Sequence, residues 1–117
     1  MIIRSISKLW VKFEEPNAPV IRSVTGRKVE KVHITIFDTF GHMVHENSVV
    51  GKPAGEFNGE FYYDYAWSGP KNTGVYTAVV DGEVIGGEVV DGKVQGEKLT
   101  GRTTFAVMGG DHEKNIH

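Results

Sequence analysis

Five histidines are the side chains in this chain best suited to binding a metal ion or moving a proton. His42 and His45 lie three positions apart, whereas side chains on one face of a strand recur every second position. The surrounding glycine and valines favour a strand over a helical turn, so we expect the two rings on opposite faces, without a shared metal. The segment 111–113, Asp-His-Glu, and His117 could chelate a divalent ion only if a tail became ordered, at an entropic cost. We predict no metal site and no cofactor.

Carboxylates and hydroxyls are plentiful, but the sequence arranges none of them as a catalytic group. Asp38, Glu60, Asp64 and Glu83 could form an acid–base pair only if the fold brought two of them together. The chain has no Gly-x-Ser-x-Gly elbow, and no glycine-rich phosphate loop precedes a helix. It also has no cysteine, which excludes disulfides and thiolate catalysis. We therefore predict that the protein is not an enzyme.

Charge and hydropathy exclude two further classes of partner. The formal net charge is -2, and the 13 Lys and Arg residues are scattered. Their densest group, residues 27–31, is interrupted by Glu30, so we expect no nucleic-acid partner. The apolar runs are too short to span a bilayer. Residues 1–8 lack the charged region and long apolar run of a signal peptide, so export would need another signal.

Fifteen glycines divide the chain into short segments rich in Val, Ile, Thr, Tyr and Phe, which is typical of strands joined by tight turns. Asp81-Gly82 and Asp91-Gly92 both predict type I′ hairpins. We predict one domain over residues 1–108 and a flexible tail over 109–117. For this domain we predict an all-β, antiparallel sandwich of about seven to eight strands, with an open barrel as the alternative. The main predicted strands are 7–13, 20–25 (a short edge strand), 29–40, 42–50, 61–67, 75–80 and 94–107.

The segment 61–67, Phe-Tyr-Tyr-Asp-Tyr-Ala-Trp, is the main aromatic stretch of the chain. We interpret its four-aromatic face as core, because no other segment offers comparable volume to fill a sandwich. Facing outward, it would instead form a platform for sugars or for a protein partner. With that face inside, Tyr62 and Trp10 become the candidate exposed aromatics and the candidate binding surface. By alternation the inward face carries Phe61, Tyr63, Tyr65 and Trp67.

Three short motifs resemble those of one known family. Residues 32–44, Val-His-Ile-Thr-Ile-Phe-Asp-Thr-Phe-Gly-His-Met-Val, resemble the V-x-I-x-I-Y-D-x-x-G-R-x-V stretch of FlgD-like immunoglobulin domains. Residues 67–69, Trp-Ser-Gly, are similar to the W-D-G of that family, and residues 73–76, Thr-Gly-Val-Tyr, to its S-G-V-Y. Such domains occur in the flagellar hook-capping protein and, in similar form, at the C-termini of secreted bacterial proteins. The resemblance implies an immunoglobulin/fibronectin-III-like sandwich without catalytic residues.

Alternation and the resemblance together define a structural signature. The resemblance makes Gly69 and Gly74 turn glycines, and makes Tyr76 a strand residue whose hydroxyl ties the sandwich together. The full signature is Ile34, Ile36, Gly41, Tyr65, Trp67, Gly69, Gly74 and Tyr76.

The leading hypothesis is a non-catalytic interaction or assembly module of a bacterial surface, flagellar or secreted protein. It would act outside the cell or at its surface, and would bind a protein partner or itself. One alternative is a carbohydrate-binding module that uses exposed aromatics. Another is a structural subunit of a virion or filament.

Overall fold

The computed structural model describes residues 2–15, 18–50, 52–68, 72–84 and 88–108, and every regular element in these ranges is a β-strand. The strands are β1 (Ile2–Ser5), β2 (Lys8–Glu15), β3 (Ala18–Thr25), β4 (Val29–Phe37), β5 (Met43–Val50), β6 (Gly55–Phe57), β7 (Glu60–Ala66), β8 (Gly74–Val84), β9 (Glu88–Val90), β10 (Lys93–Gln95) and β11 (Glu97–Val107). One sheet has the order β1-β11-β8-β4-β5, the other β2-β3-β7-β6, and β9 and β10 form a separate hairpin. The predicted all-β sandwich is confirmed, and its two main sheets contain nine strands within the described residues. The pairing differs from the antiparallel prediction at one place, because β1 runs parallel to β11.

The core lies between the two sheets because their strands carry apolar side chains at alternate positions. In the five-stranded sheet, Ile34 and Ile36 of β4 lie opposite Val80 and Ala78 of β8, and all four are buried. From the four-stranded sheet, residues such as Ile21 complete the same cluster. Each sheet thus buries one face against the other, as in other β-sandwiches.

Two tight turns have positive φ at both central residues, and the turn at Asp91-Gly92 confirms the prediction of a hairpin there. Asp91 and Gly92 have φ values of +50° and +77° and join β9 to β10. Asn58 and Gly59, at +52° and +79°, join β6 to β7 in the same way. Positive φ at both central residues is the requirement of a type I′ turn.

The turn between β4 and β5 is closed by the Asp38 carboxylate. Its Oδ1 accepts the backbone N–H groups of Phe40 and His42, each at 2.9 Å, and Gly41 has φ +83°. The His42 N–H is the main cause that holds the pKa of Asp38 below its usual value; the Phe40 N–H and the His42 ring add to it, while desolvation opposes it. The turn therefore stabilises the charged form of this carboxyl.

Asp38→Asn is expected to destabilise the fold at neutral pH and to have little effect in acid. A carboxyl with a lowered pKa in the folded state contributes stability above its unfolded pKa, and that stability disappears as pH falls through the folded pKa. Urea unfolding of both proteins between pH 7 and pH 2.5 measures the difference. His42→Gln, which keeps the backbone N–H, is expected to retain most of the pH dependence. If the free energies of unfolding of the wild type and Asp38→Asn differ by the same amount at every pH, the prediction is wrong.

The predicted hairpin at Asp81-Gly82 is wrong, because β8 continues through both residues. Gly82 pairs with Leu99 on one side and with Val32 on the other, so it lies in the interior of the sheet. A Cβ at this position would lie 3.3 Å from Cγ1 of Val29. Glycine is used here for close packing, not for a turn.

Other element boundaries also differ from the predictions. The strand predicted at an edge, β3, lies between β2 and β7 in the interior of its sheet. The predicted 29–40 strand ends at Phe37, and the predicted 94–107 strand is divided at Gly96 into β10 and β11. The predicted tail, 109–117, and the segment 85–87 lie outside the described residues.

A buried carboxylate holds β1 against the rest of the domain. The side chain of Glu97, at the start of β11, is only 1% exposed. Its Oε1 accepts the Nε–H of Arg4 on β1 at 2.6 Å, and its Oε2 accepts the Nη1–H of Arg27 at 3.1 Å. Two cations from distant parts of the chain therefore compensate one buried charge.

Candidate functional site

The two aromatic residues predicted to be exposed lie together on the outer face of the four-stranded sheet. Trp10 on β2, Arg22 on β3 and Asp64 on β7 are directly opposite one another across the three strands. Tyr62 lies on β7, two residues before Asp64 and therefore on the same face. We call these four residues the aromatic–arginine cluster.

Arg22 is the central residue of the aromatic–arginine cluster. Its Nε and Nη2 groups donate to Oδ1 and Oδ2 of Asp64, both at 2.7 Å. The guanidinium carbon lies 5.9 Å from the ring centroid of Trp10 and 5.1 Å from that of Tyr62. Because a bidentate carboxylate fixes the planar fork of arginine, this side chain is held in one orientation beside both rings.

The cluster rests on a small apolar layer outside the inter-sheet core. Val20 and Val24 share the outward face of β3 with Arg22. Both valines are nevertheless buried, and neither belongs to the core cluster between the sheets. Trp10 itself is 38% exposed. Side chains on this face therefore shield apolar surface and still leave an indole accessible to a partner.

The aromatic residues predicted to be core lie on the inner side of the sandwich. Trp67 and Tyr63 are buried, and Phe61 and Tyr65 are half-buried against the core. The Trp67 ring packs edge-on against Tyr76, with centroids 5.2 Å apart, and against Phe105, at 6.2 Å. These contacts join the end of β7 to β8 and β11 of the opposite sheet.

The remaining residues of the predicted structural signature do not share one environment. Ile34, Ile36 and Tyr76 are buried, and Gly41 occupies the turn after β4. The Tyr76 hydroxyl donates to the Asn72 carbonyl at 2.7 Å, which ties the start of β8 to the segment before it. Gly74 is the first residue of β8 rather than part of the turn, and Gly69 lies outside the described residues.

The described histidines occupy separate environments. His42 is exposed in the turn after β4, whereas His45 faces inward and stacks on Tyr65 and Trp67. Nε2 of His45 is hydrogen-bonded to the Tyr65 hydroxyl. His33 contacts Ser48 Oγ at 3.0 Å through Nδ1 and Glu46 Oε2 at 3.1 Å through Nε2. Within the described ranges, no three His, Asp or Glu side chains are grouped as metal ligands. Residues 111–113 and His117 lie outside those ranges.

Sequence reasoning did not predict the contacts of three residues described above, Arg22, Asp64 and His45. Arg22 and Asp64 become partners only because β3 pairs with β7, 42 positions away. A signal was available for Asp64, which alternates with Tyr62 and so shares its face. His45 shares its inward face with Val49, and that periodicity could have marked it as half-buried.

Comparison of the chain with protein-family models, curated proteins and solved structures finds no match. In the part of the chain that is described, no helix is long and apolar enough to cross a membrane.

Proposed function

We propose that the protein is a non-catalytic, immunoglobulin-like interaction or assembly module that binds a protein partner through the aromatic–arginine cluster. The observation that carries this proposal is the position of Arg22 beside Trp10 and Tyr62 on an outer sheet face, fixed by Asp64. Tryptophan, tyrosine and arginine are the residue types most enriched among the energetic centres of protein interfaces. Here all three are adjacent, and Asp64 binds the arginine through two hydrogen bonds.

The strand order supports the immunoglobulin-like part of the proposal. If β2 to β8 are lettered A, B, C, C′, D, E and F, and β11 is lettered G, the sheets read A-B-E-D and C′-C-F-G. This is the order of an immunoglobulin sandwich. The Tyr76 hydroxyl, bonded to a backbone carbonyl four residues upstream at the start of strand F, corresponds to the tyrosine corner of that fold. The resemblance to FlgD-like domains supports a role in a surface, flagellar or secreted bacterial protein.

The geometry favours a protein partner over a carbohydrate. Sugar-binding platforms need free aromatic faces on which a pyranose ring can stack. In the aromatic–arginine cluster the guanidinium lies over one face of each ring, with its carbon 5.9 Å from the Trp10 centroid and 5.1 Å from the Tyr62 centroid, so a pyranose ring would have to stack on the other face. A protein partner can instead pack against the ring edges and bond to the polar groups between them.

The proposal predicts that Trp10→Ala and Tyr62→Ala each weaken binding to a protein component of the surface structures of the source cell. A central aromatic contact contributes about 2 kcal/mol or more, which corresponds to roughly a 30-fold change in Kd. Titration of labelled protein against isolated surface structures measures this. Phe40→Ala, which removes an exposed aromatic at the opposite sheet, is the matched control and is expected to leave Kd unchanged.

Two outcomes would contradict the proposal. One is a wild-type protein that binds no protein component in such a titration. The other is Trp fluorescence that responds to oligosaccharides in the wild type and loses that response in the Trp10→Phe variant, which would favour the carbohydrate-binding alternative.

A further inference from the structure

β5 forms one edge of the five-stranded sheet, and among the described residues no strand pairs with its outer side. The Ser48 N–H donates to the Oδ1 of the adjacent Asn47 at 2.7 Å rather than to β4. In an antiparallel strand, backbone groups point alternately toward one neighbour and the other. Glu46 and Val50 therefore present their N–H and C=O groups to the same free edge as Ser48.

The other edges of the two sheets are protected in ways that β5 is not. β2 carries Lys8 and Lys12 and has an irregular register between Phe13 and Glu15. β1 has only four residues and β6 only three. Lysines, bulges and short strands are the usual means of preventing edge-to-edge pairing. Residues 45–50 contain no lysine, arginine or proline, and the bulge in β5 precedes them.

We propose that β5 pairs antiparallel with β5 of a second copy of this chain, across a two-fold axis at Ser48. This deepens the assembly part of the proposed function and rests on it. In this register Ser48 lies opposite its symmetry mate, and Glu46 lies opposite Val50 of the other copy. Each pair exchanges both backbone hydrogen bonds, and Asn47 gives up the Ser48 N–H to the partner strand.

Charge selects this register over its neighbour. Glu46 is the only Asp, Glu, Lys or Arg residue in 45–50, and its Oε2 contacts His33 of its own chain. An axis at Glu46 would place two carboxylates directly opposite each other, which is destabilising. With the axis at Ser48, Glu46 meets the side chain of Val50, which is 70% exposed in the single chain. The two five-stranded sheets would then form one continuous sheet.

Opposite charges introduced at Val50 test both the pairing and its register. Val50→Lys places a cation opposite Glu46 of the partner and is expected to strengthen the dimer, whereas Val50→Glu is expected to weaken it. A directly opposed pair contributes roughly 0.2–1 kcal/mol, and it occurs twice in a symmetric dimer, so each dimerisation constant should change about two- to thirty-fold. Sedimentation velocity over a concentration series measures the constants.

Val89→Lys and Val89→Glu are the controls, because Val89 is similarly exposed, at 67%, and lies on the separate β9–β10 hairpin. They change net charge equally and are expected to leave the dimerisation constant within twofold of wild type. The inference is overturned by a wild-type protein that stays monomeric up to about 1 mM. It is also overturned if Val50→Lys and Val50→Glu shift the dimerisation constant in the same direction, or if the Val89 variants shift that constant as much as the Val50 variants do. A monomer that still binds its partner through Trp10 would reject this inference and leave the proposed function intact.

Discussion

Replacing Trp67 with alanine is expected to lower the free energy of unfolding by about 3–5 kcal/mol, the usual cost of removing a large buried aromatic side chain. Trp67 is 6% exposed and packs against Tyr76 and Phe105 of the opposite sheet. Its removal leaves a cavity where the end of β7 meets β8 and β11. Urea unfolding followed by circular dichroism measures the loss without depending on tryptophan fluorescence.

Two variants provide the comparison for Trp67→Ala. Trp67→Phe keeps an aromatic ring at the site and is expected to cost less than the alanine variant. Trp10→Ala removes the other tryptophan, which is partly exposed on the outer face, and is expected to cost well under half as much. Equal losses for Trp10→Ala and Trp67→Ala would contradict the assignment of Trp67 to the core.

Removing both Arg4 and Arg27 is expected to cost about 3–5 kcal/mol, because it leaves the buried Glu97 carboxylate without a cation. Each arginine is about half-exposed and contacts one oxygen of that carboxylate. Either single variant leaves one cation in place, so Arg4→Ala and Arg27→Ala are each expected to cost less than half of the double variant. Urea unfolding of the two single variants and the double variant measures this non-additivity.

Neutralising the carboxylate is the control for the Glu97 prediction. In the double arginine variant, Glu97→Gln is expected to recover part of the lost stability, because an amide costs less to bury than an uncompensated charge. In the wild-type background the same substitution is expected to be destabilising, since it removes a charge-assisted acceptor from two arginines. A Glu97→Gln effect of the same sign in both backgrounds would contradict the proposed role of the ion pairs.

Alternation in the sequence was sufficient to locate the core and the candidate surface. It placed Tyr63 and Trp67 inside and Trp10 and Tyr62 on the outer face, because a period of two is a local property of a strand. In the structure Trp10 is exposed and Tyr62 is half-buried. It could not indicate that Trp10 and Tyr62 lie together, or that Arg22 lies beside both rings. That arrangement depends on which strands pair and in which register, and the contacts join residues far apart in the chain.

The two Asp-Gly dipeptides show the same limit. Asp91-Gly92 forms the predicted turn, whereas Asp81-Gly82 continues a strand, although the sequence before each is Val-Val. The difference arises from neighbours distant in sequence. Gly82 is paired with strands on both sides and is packed against Val29, so extended backbone is stabilised there in preference to a turn.

The most direct test of the proposed function is to identify the molecule that contacts position 10 in living source cells. Trp10 is replaced by the photoreactive residue p-benzoylphenylalanine, and the same replacement at Phe40 serves as the comparison. The proposal predicts a light-dependent protein adduct from position 10 that is absent or much weaker from position 40. Absence of any protein adduct from position 10, or equal adducts from both positions, would contradict the assignment of the aromatic–arginine cluster as a protein-binding surface.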